Sequence, residues 1–331
     1  MYYNSKMKVL YGYDNTHYIN ITADVFKKCL KDDGIHIPAG DGNRCDIIGY
    51  DPYPNILKHI MIFDHKGNSY MYTHTKEFII HIDSISQHLI DDRNPKIWWE
   101  QVGKHIKDPV LRLNELQKHF NLPICEWGGF EAEYPEQLMI MRYVNENHKV
   151  LEIGGQIGRA SHIIQTIVNN PKHHVIMECD PKTAQKLRTN LDFNTYTDAI
   201  IETAGLSYVK LYMTGGGVDP PRHFEKDIPP SAVEIPTITY SELCKKYDID
   251  FNVLVADCEG SLYYIFKEDP NMLDNIHTVI MENDYYDLNH KQVVDTILTS
   301  KGFNIIYKEK GVPCASWSPC YEYFYEVWKK E

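Results

Sequence analysis

A chain of 331 residues, 43% hydrophobic and 24% charged, is long enough for one large domain or two of ordinary size and can bury a sizeable core. Its formal net charge of −12 argues against a broad phosphate-binding surface, and so against DNA or RNA as a partner. No window approaches eighteen apolar residues and Met1 to Asn15 lacks the apolar stretch of a secretory signal, so no membrane association and a cytoplasmic location are expected.

Residues 1–85 read as short β-segments between turns, a small mostly-β accessory domain. "KVLYGY", "ILKHIMIFD", "NSYMYT" and "EFIIHID" carry the Ile, Tyr, Val and Phe of strands. Asp64 to Ser69 predicts a hairpin turn, and "TADVFKKCLKDD" one helix with Thr22 as its N-cap. Residues 86–120 read as a helical linker, in which "NPKIWWEQVGKHI" and "VLRLNELQKHFN" have apolar residues at helical spacing. From residue 121 to 331 strands and helices alternate. "HKVLEIG", "HVIMECD", "DAIIETAGL", "FNVLVADCEG" and "IHTVIMEND" are predicted strands, with helices between them and "NIIYKE" and "YEYFYEVWKK" as closing strands. Continuous apolar strands alternating with helices predict an α/β fold with a doubly wound, mostly parallel sheet, and such a sheet binds its ligand at the C-terminal ends of the strands. The eight cysteines show no CxxC pair and no zinc-knuckle spacing, so reduced thiols are expected.

The stretch Val150 to Ser161, "VLEIGGQIGRAS", has the strand, glycine loop and helix start of a nucleotide site. A dinucleotide fingerprint needs glycine at the third position so that the backbone can approach a pyrophosphate; counted from Gly154, that position is Gln156. An acid at Glu152, with Gly154, Gly155 and Gly158, suits a ligand that carries an amino group and no pyrophosphate. S-adenosylmethionine is such a ligand. Glu178 ends the second strand where an acid can accept from both ribose hydroxyls, Cys179 follows at the adenine edge, and Gly205 ends the third strand. Asp257 and Glu259 leave the fourth strand together and point into the crevice, a poor place for a nicotinamide amid phosphates and a good one for orienting a hydroxyl beside a sulfonium.

"EIGGQIG", "ECDP", "IPTITYSEL", "ADCEG" and "VIMEND" stand in the order and spacing of the FkbM family of S-adenosylmethionine-dependent methyltransferases, which the chain resembles from about Gly128 to Glu331. It departs from the family at Glu152 for Asp, Gln156 for Asn and Tyr240 for Asp. The resemblance implies a class I methyltransferase fold, closed by an antiparallel C-terminal hairpin, and O-methylation of a sugar or related hydroxyl on a small-molecule or glycan acceptor. Removal of the hydroxyl proton needs a base. The candidates are Asp257, Glu259, His277, Glu282 and Asp284, with Asp257 and Glu282 leading; His277 begins the fifth strand and should lie at the wrong end of the sheet. Asp257, Glu259, Glu282 and Asp284 also offer hard oxygens for Mg²⁺.

"VDPPRHF" echoes the DPPY motif of base-methylating enzymes, but it lies in a glycine loop and ends in Arg222; Thr214 to Pro230 reads instead as a lid segment. The first domain resembles a small β domain appended to some co-chaperone-like proteins; homo-oligomerisation, cover for the active site and glycan binding through its tyrosines are the roles open to it. Two other classes compete with the methyltransferase: a nicotinamide-dependent oxidoreductase, against which Gln156 and the Asp257/Glu259 pair weigh, and a non-catalytic binding protein that retains the fold.

Overall fold

The structure is a computed structural model that describes residues 8–14, 17–31, 34–63, 69–81, 94–101, 103–126, 128–214 and 221–330. The chain divides into two compact units, residues 1–97 and 98–331. Among the described residues no helix is long and apolar enough to cross a membrane.

Among the described residues the first unit holds seven strands, β1 (Lys8–Gly12), β2 (Tyr18–Asn20), β3 (Leu30–Lys31), β4 (Gly34–Ile37), β5 (His59–Phe63), β6 (Ser69–Tyr72) and β7 (Phe78–His81). They form two antiparallel sheets, ordered β2-β1-β5-β6 and β3-β4-β7. Alternation fixes the core: Val9 and Tyr11 from β1 and Ile60 and Ile62 from β5 point inward onto Val25 and Ile47 of the helices. The helix "TADVFKKC" forms as expected over Thr22–Cys29. Its start differs: the Thr22 hydroxyl accepts from the Val9 amide (2.9 Å), and Asn20 Oδ1 accepts from the Thr22 amide (3.0 Å). A second helix, Asp41–Ile48, was not expected, because it buries Arg44 where an apolar stripe would be. Arg44 donates to the carbonyls of Pro38, Tyr72 and Lys76, contacts local sequence cannot announce. The predicted hairpin turn at 64–68 lies outside the described residues.

In the second unit the central strands are β8 (Val150–Ile153), β9 (His174–Met177), β10 (Ile200–Glu202), β15 (Val253–Ala256), β16 (Thr278–Glu282), β17 (Phe303–Glu309) and β18 (Tyr325–Lys330). Short pairs β11 (Gly205–Leu206) with β14 (Thr237–Ile238), and β12 (Leu211–Met213) with β13 (Val233–Ile235), stand outside this sheet. The seven run in the order β10-β9-β8-β15-β16-β18-β17, all parallel except β18, which lies antiparallel between β16 and β17. This is the predicted fold: a Rossmann-like, doubly wound α/β sheet closed by an antiparallel C-terminal hairpin.

β8, β9, β15 and β16 are buried along their whole length, which is why their sequences read as apolar runs. Successive residues feed opposite faces. Val150, Ile176, Val253 and Val255 pack with the helices Pro109–Gln117, Tyr134–Tyr143 and Arg159–Ile167. Leu151, Ile153, Val175, Met177 and Leu254 pack on the other face with the helices Tyr240–Tyr247, Leu262–Glu268 and Leu288–Ser300. The strand order reverses between β8 and β15, so the crevice for a ligand opens at their C-terminal ends.

Two expectations are corrected. "DAIIETAGL" is two strands, because after Glu202 the chain leaves the sheet and Gly205 pairs with Thr237. The helix Tyr134–Tyr143 was not expected either; it starts after Glu133 in the left-handed region (φ 56) and buries Glu136 and Gln137 with its apolar residues. Gln137 donates to the carbonyls of Phe130 and Ala132 (both 2.9 Å) and so fixes the loop that precedes the helix.

Candidate functional site

A cavity of ≈ 800 Å³ opens at the switch point, within the size range of cofactor sites. Its floor is Ile153, Gly154 and Gln156 at the end of β8; one side is Met177, Glu178 and Cys179 at the end of β9 with Ala204 to Leu206; the other is Asp257 to Ser261 after β15. Asp284 and Tyr286 after β16 complete the wall.

The glycine loop is shaped by contact and hydrogen bonding. Gly154 has φ 95, and a Cβ there would lie 1.6 Å from the Asp257 carbonyl oxygen, so the two loops can meet only over a glycine. The amides of Gly154 and Gly155 donate to the Met177 carbonyl (3.0 and 3.1 Å), and that of Gly158 to the Gly155 carbonyl (2.8 Å). The Gln156 amide donates to Glu178 Oε2 (2.9 Å), and Gln156 Oε1 accepts from Arg159 Nη1 (2.5 Å). Four loop amides, those of Gly154, Gly155, Gln156 and Gly158, therefore donate within the protein.

Glu178 accepts a second amide, from Asp180, at Oε1 (2.9 Å). A carboxylate has about four acceptor sites, so two amides leave capacity for two hydroxyl donors from the cavity. Burial pushes Glu178 up to about 7, against the lowering effect of these amides. Burial likewise pushes the Cys179 thiol up to about 12, so it meets a ligand as a neutral group.

Glu152 does not line the cavity. It lies on the opposite face of β8 from Ile153, where Oε1 accepts from the Ser161 hydroxyl (2.8 Å) and Oε2 meets His174 Nε2 (2.7 Å). Gln165 donates to His174 Nδ1 (3.1 Å), which leaves Nε2–H as the donor to Glu152. The expectation that Glu152 meets a ligand ammonium is thus corrected: strand alternation turns it into the core. Gly155 and Gly158 are close-packing positions, since a Cβ at either would strike Leu187 (2.8 and 2.7 Å).

Among the base candidates, Asp257, Glu259 and Asp284 line the cavity. Glu259 holds a left-handed backbone (φ 52), and Asp284 Oδ1 accepts from the Gly260 amide (2.8 Å). Burial, with Glu259 close by, pushes Asp284 up to about 7. Burial and the neighbouring Glu133 and Glu136 raise Asp257 well above the carboxylate range. Glu282 ends β16 but stands outside the cavity wall. His277 is exposed at the start of β16, at the far end of the sheet as expected. The anticipated metal set of Asp257, Glu259, Glu282 and Asp284 is not what converges; Asp257 converges with Glu133 and Glu136.

Arg159 was missed at the sequence level, although it directly follows the glycine loop. Its buried guanidinium donates to the carbonyls of Glu126, Gly128 and Gly129 and to both oxygens of Glu133 (3.0 and 3.1 Å). It ties the loop before the helix Tyr134–Tyr143 to the glycine loop. Arg159→Ala leaves these acceptors without a donor and is expected to destabilise the chain by about 3–5 kcal/mol. A urea denaturation midpoint equal to that of the unaltered protein would refute this role.

Of the lid segment, Pro221 to Glu225 line the cavity, while Asp219 and Pro220 lie outside the described residues. Arg222 is held by a backbone pair with Tyr212 (2.8 and 2.9 Å). Tyr240 is not part of the cavity wall.

No protein-family model matches the chain, and no curated protein matches it in sequence. Solved structures with a similar course of the chain include a ribosomal protein L11 methylase of Lactobacillus delbrueckii subsp. bulgaricus, at 12% identity and TM-score 0.41 over 63% of this chain and 83% of that one. An O-methyltransferase of Bacillus cereus in complex with SAH is similar at 11% identity and TM-score 0.37, over 72% of this chain and 98% of that one. A precorrin-6y C5,15-methyltransferase of Geobacter metallireducens is similar at 11% identity and TM-score 0.39, over 65% and 94%. The fold assignment rests on the strand order of the sheet itself.

Proposed function

We propose that the cavity binds S-adenosylmethionine and that the protein transfers its methyl group to a hydroxyl of a sugar or glycan-related acceptor, in the manner of the FkbM family it resembles. The observation that carries this reading is the charge of the cavity wall. The described lining holds seven carboxylates, Glu178, Asp257, Glu259 and Asp284 among them, against one guanidinium, Arg222. Such a wall repels a pyrophosphate and attracts a sulfonium and an ammonium.

S-adenosylmethionine supplies an electrophilic methyl group when bound. Glu178 holds the ribose hydroxyls, with Cys179 and Gly205 along the adenine. Asp257, at the end of β15 and on the cavity wall, orients the acceptor hydroxyl by hydrogen bonding. Glu259, on a strained backbone at the cavity wall, takes the hydroxyl proton. At the mouth, Tyr286 (78% exposed) stacks on Trp317 (45% exposed) with centroids 4.4 Å apart, a flat aromatic surface on which a sugar ring can lie.

Calorimetry with S-adenosylhomocysteine tests the reading. Binding at micromolar strength is expected; no heat of binding up to millimolar ligand, or a fluorescence response to NADH instead, would overturn it.

A further inference from the structure

Behind the cavity wall, acidic side chains from one helix start and two strand ends lie near one another. Glu133 and Glu136 stand at the start of the helix Tyr134–Tyr143, Asp257 ends β15 and Glu282 ends β16. Glu133, Glu136 and Asp257 each offer an oxygen within 4.8 Å of the others. We infer that Glu133, Glu136, Asp257 and Glu282 form a binding site for one hard divalent cation of the Mg²⁺, Mn²⁺ and Ca²⁺ class.

The fourth member is the independent observation. Glu282 is 8% exposed, and its Oε1 has no hydrogen-bond partner. Ala256 pairs with Met281 across β15 and β16, so Asp257 and Glu282 follow as neighbours, on the sheet face where Val255 and Ile280 pack with the helix Tyr134–Tyr143. An ionised Oε1 lacks a donor there and a protonated one lacks an acceptor; the group is orphaned in either state, which native interiors rarely tolerate. A cation resolves both the orphan and the charge. Arg159 already belongs to Glu133, a single positive charge against four carboxylates. The hydroxyl of Tyr325, buried beside the group, is pushed up by burial and by these same four carboxylates.

The donor set selects the metal. All four donors are carboxylate oxygens, which suit Mg²⁺, Mn²⁺ and Ca²⁺ rather than metals that prefer nitrogen or sulfur. The oxygens of Glu133, Glu136 and Asp257 lie within 4.8 Å of one another, about twice a metal–oxygen distance of ~2.4 Å, so these three need little movement to share one ion, and Glu282 would close on it from β16. Asp257 alone belongs both to this group and to the cavity wall, so the ion would sit directly behind the place where the acceptor hydroxyl is oriented. That consequence rests on the methyl-transfer reading; the binding itself does not.

The test titrates Mn²⁺ into the full, EDTA-stripped chain and reads free Mn²⁺ by electron paramagnetic resonance. One site in the micromolar range is expected, displaced by Mg²⁺ or Ca²⁺. Glu136→Gln and Glu282→Gln should each weaken it at least tenfold, and Asp274→Asn, an exposed acid elsewhere, should leave it unchanged. Both glutamine variants remove uncompensated buried charge and should stay folded by circular dichroism. No saturable Mn²⁺ binding at millimolar concentration, or the same affinity in Glu282→Gln, overturns the inference. Binding of Mn²⁺ without binding of S-adenosylhomocysteine would overturn the methyl-transfer reading and leave the cation site standing.

Discussion

Gly154→Ala is expected to destroy ligand binding and to destabilise the second unit, more than a methyl group added at any other described glycine. Two costs combine. A φ of 95 is a region that alanine enters only with about 1–2 kcal/mol of strain. The new Cβ would also lie 1.6 Å from the Asp257 carbonyl oxygen, which is backbone and cannot rotate away. Overpacking of this kind costs about 1–3 kcal/mol more, so the total is about 2–5 kcal/mol. Relief requires the two loops to part, and these carry Gln156 on one side and Asp257 to Gly260 on the other, the floor and a wall of the cavity. Affinity for S-adenosylhomocysteine should therefore fall at least a hundredfold in calorimetry. Gly302→Ala is the control, since Gly302 also has positive φ (85) but nothing within 4 Å of its Cβ. It should cost only the conformational strain and leave ligand binding intact. If the two variants unfold at the same urea concentration, the close approach of the loops does not carry the cost.

The contrast between these glycines shows where sequence reading stops. Both look alike as letters beside a helix, and only the position of Asp257 in space separates them. The sheet was legible because β8, β9, β15 and β16 are buried on both faces and so are written in unbroken apolar residues. The ends of those strands were legible too, which is why Glu178 and Asp257 were placed on the cavity. Glu152 was misread for a physical reason: an acid near a glycine loop suggests a ligand, but side chains alternate along a strand, and the cavity belongs to Ile153. The helices Asp41–Ile48 and Tyr134–Tyr143 were hidden because each buries polar groups that break a helical stripe. Arg44 finds carbonyls up to residue 76, and Gln137 accepts from Gln117 (2.7 Å). With the second helix went Glu133 and Glu136, half of the acidic group behind the wall. Such partners are created by tertiary contact, and no local pattern records them.

Glu178→Gln is expected to weaken S-adenosylhomocysteine binding by about a hundredfold and to remove the pH dependence of that binding near neutrality. Hydrogen bonds to a charged acceptor contribute about 1.5–3 kcal/mol each, and two ribose hydroxyls would lose that charge. The amide also turns one Nε2 donor toward an N–H, either of Gln156 or of Asp180, where the carboxylate accepted from both. The pH dependence follows from the carboxyl's position at about 7, raised first by burial. In the ligand-free chain the folded state keeps this proton up to about pH 7, whereas the unfolded chain releases it near 4.5. Between these values the unfolded state binds fewer protons, so Glu178 makes stability fall as pH rises. Ligand binding has the opposite sign, because the ribose hydroxyls donate to the ionised form; affinity should climb as pH passes through about 7 and then level off. Asp284, also near 7, contributes to the stability slope in the same direction, so the share of Glu178 is read as the difference between the unaltered protein and the variant. Calorimetric titrations at pH 6 and 8 distinguish the outcomes. A dissociation constant that does not change with pH in the unaltered protein, or changes equally in Glu178→Gln, would remove Glu178 from the ribose site.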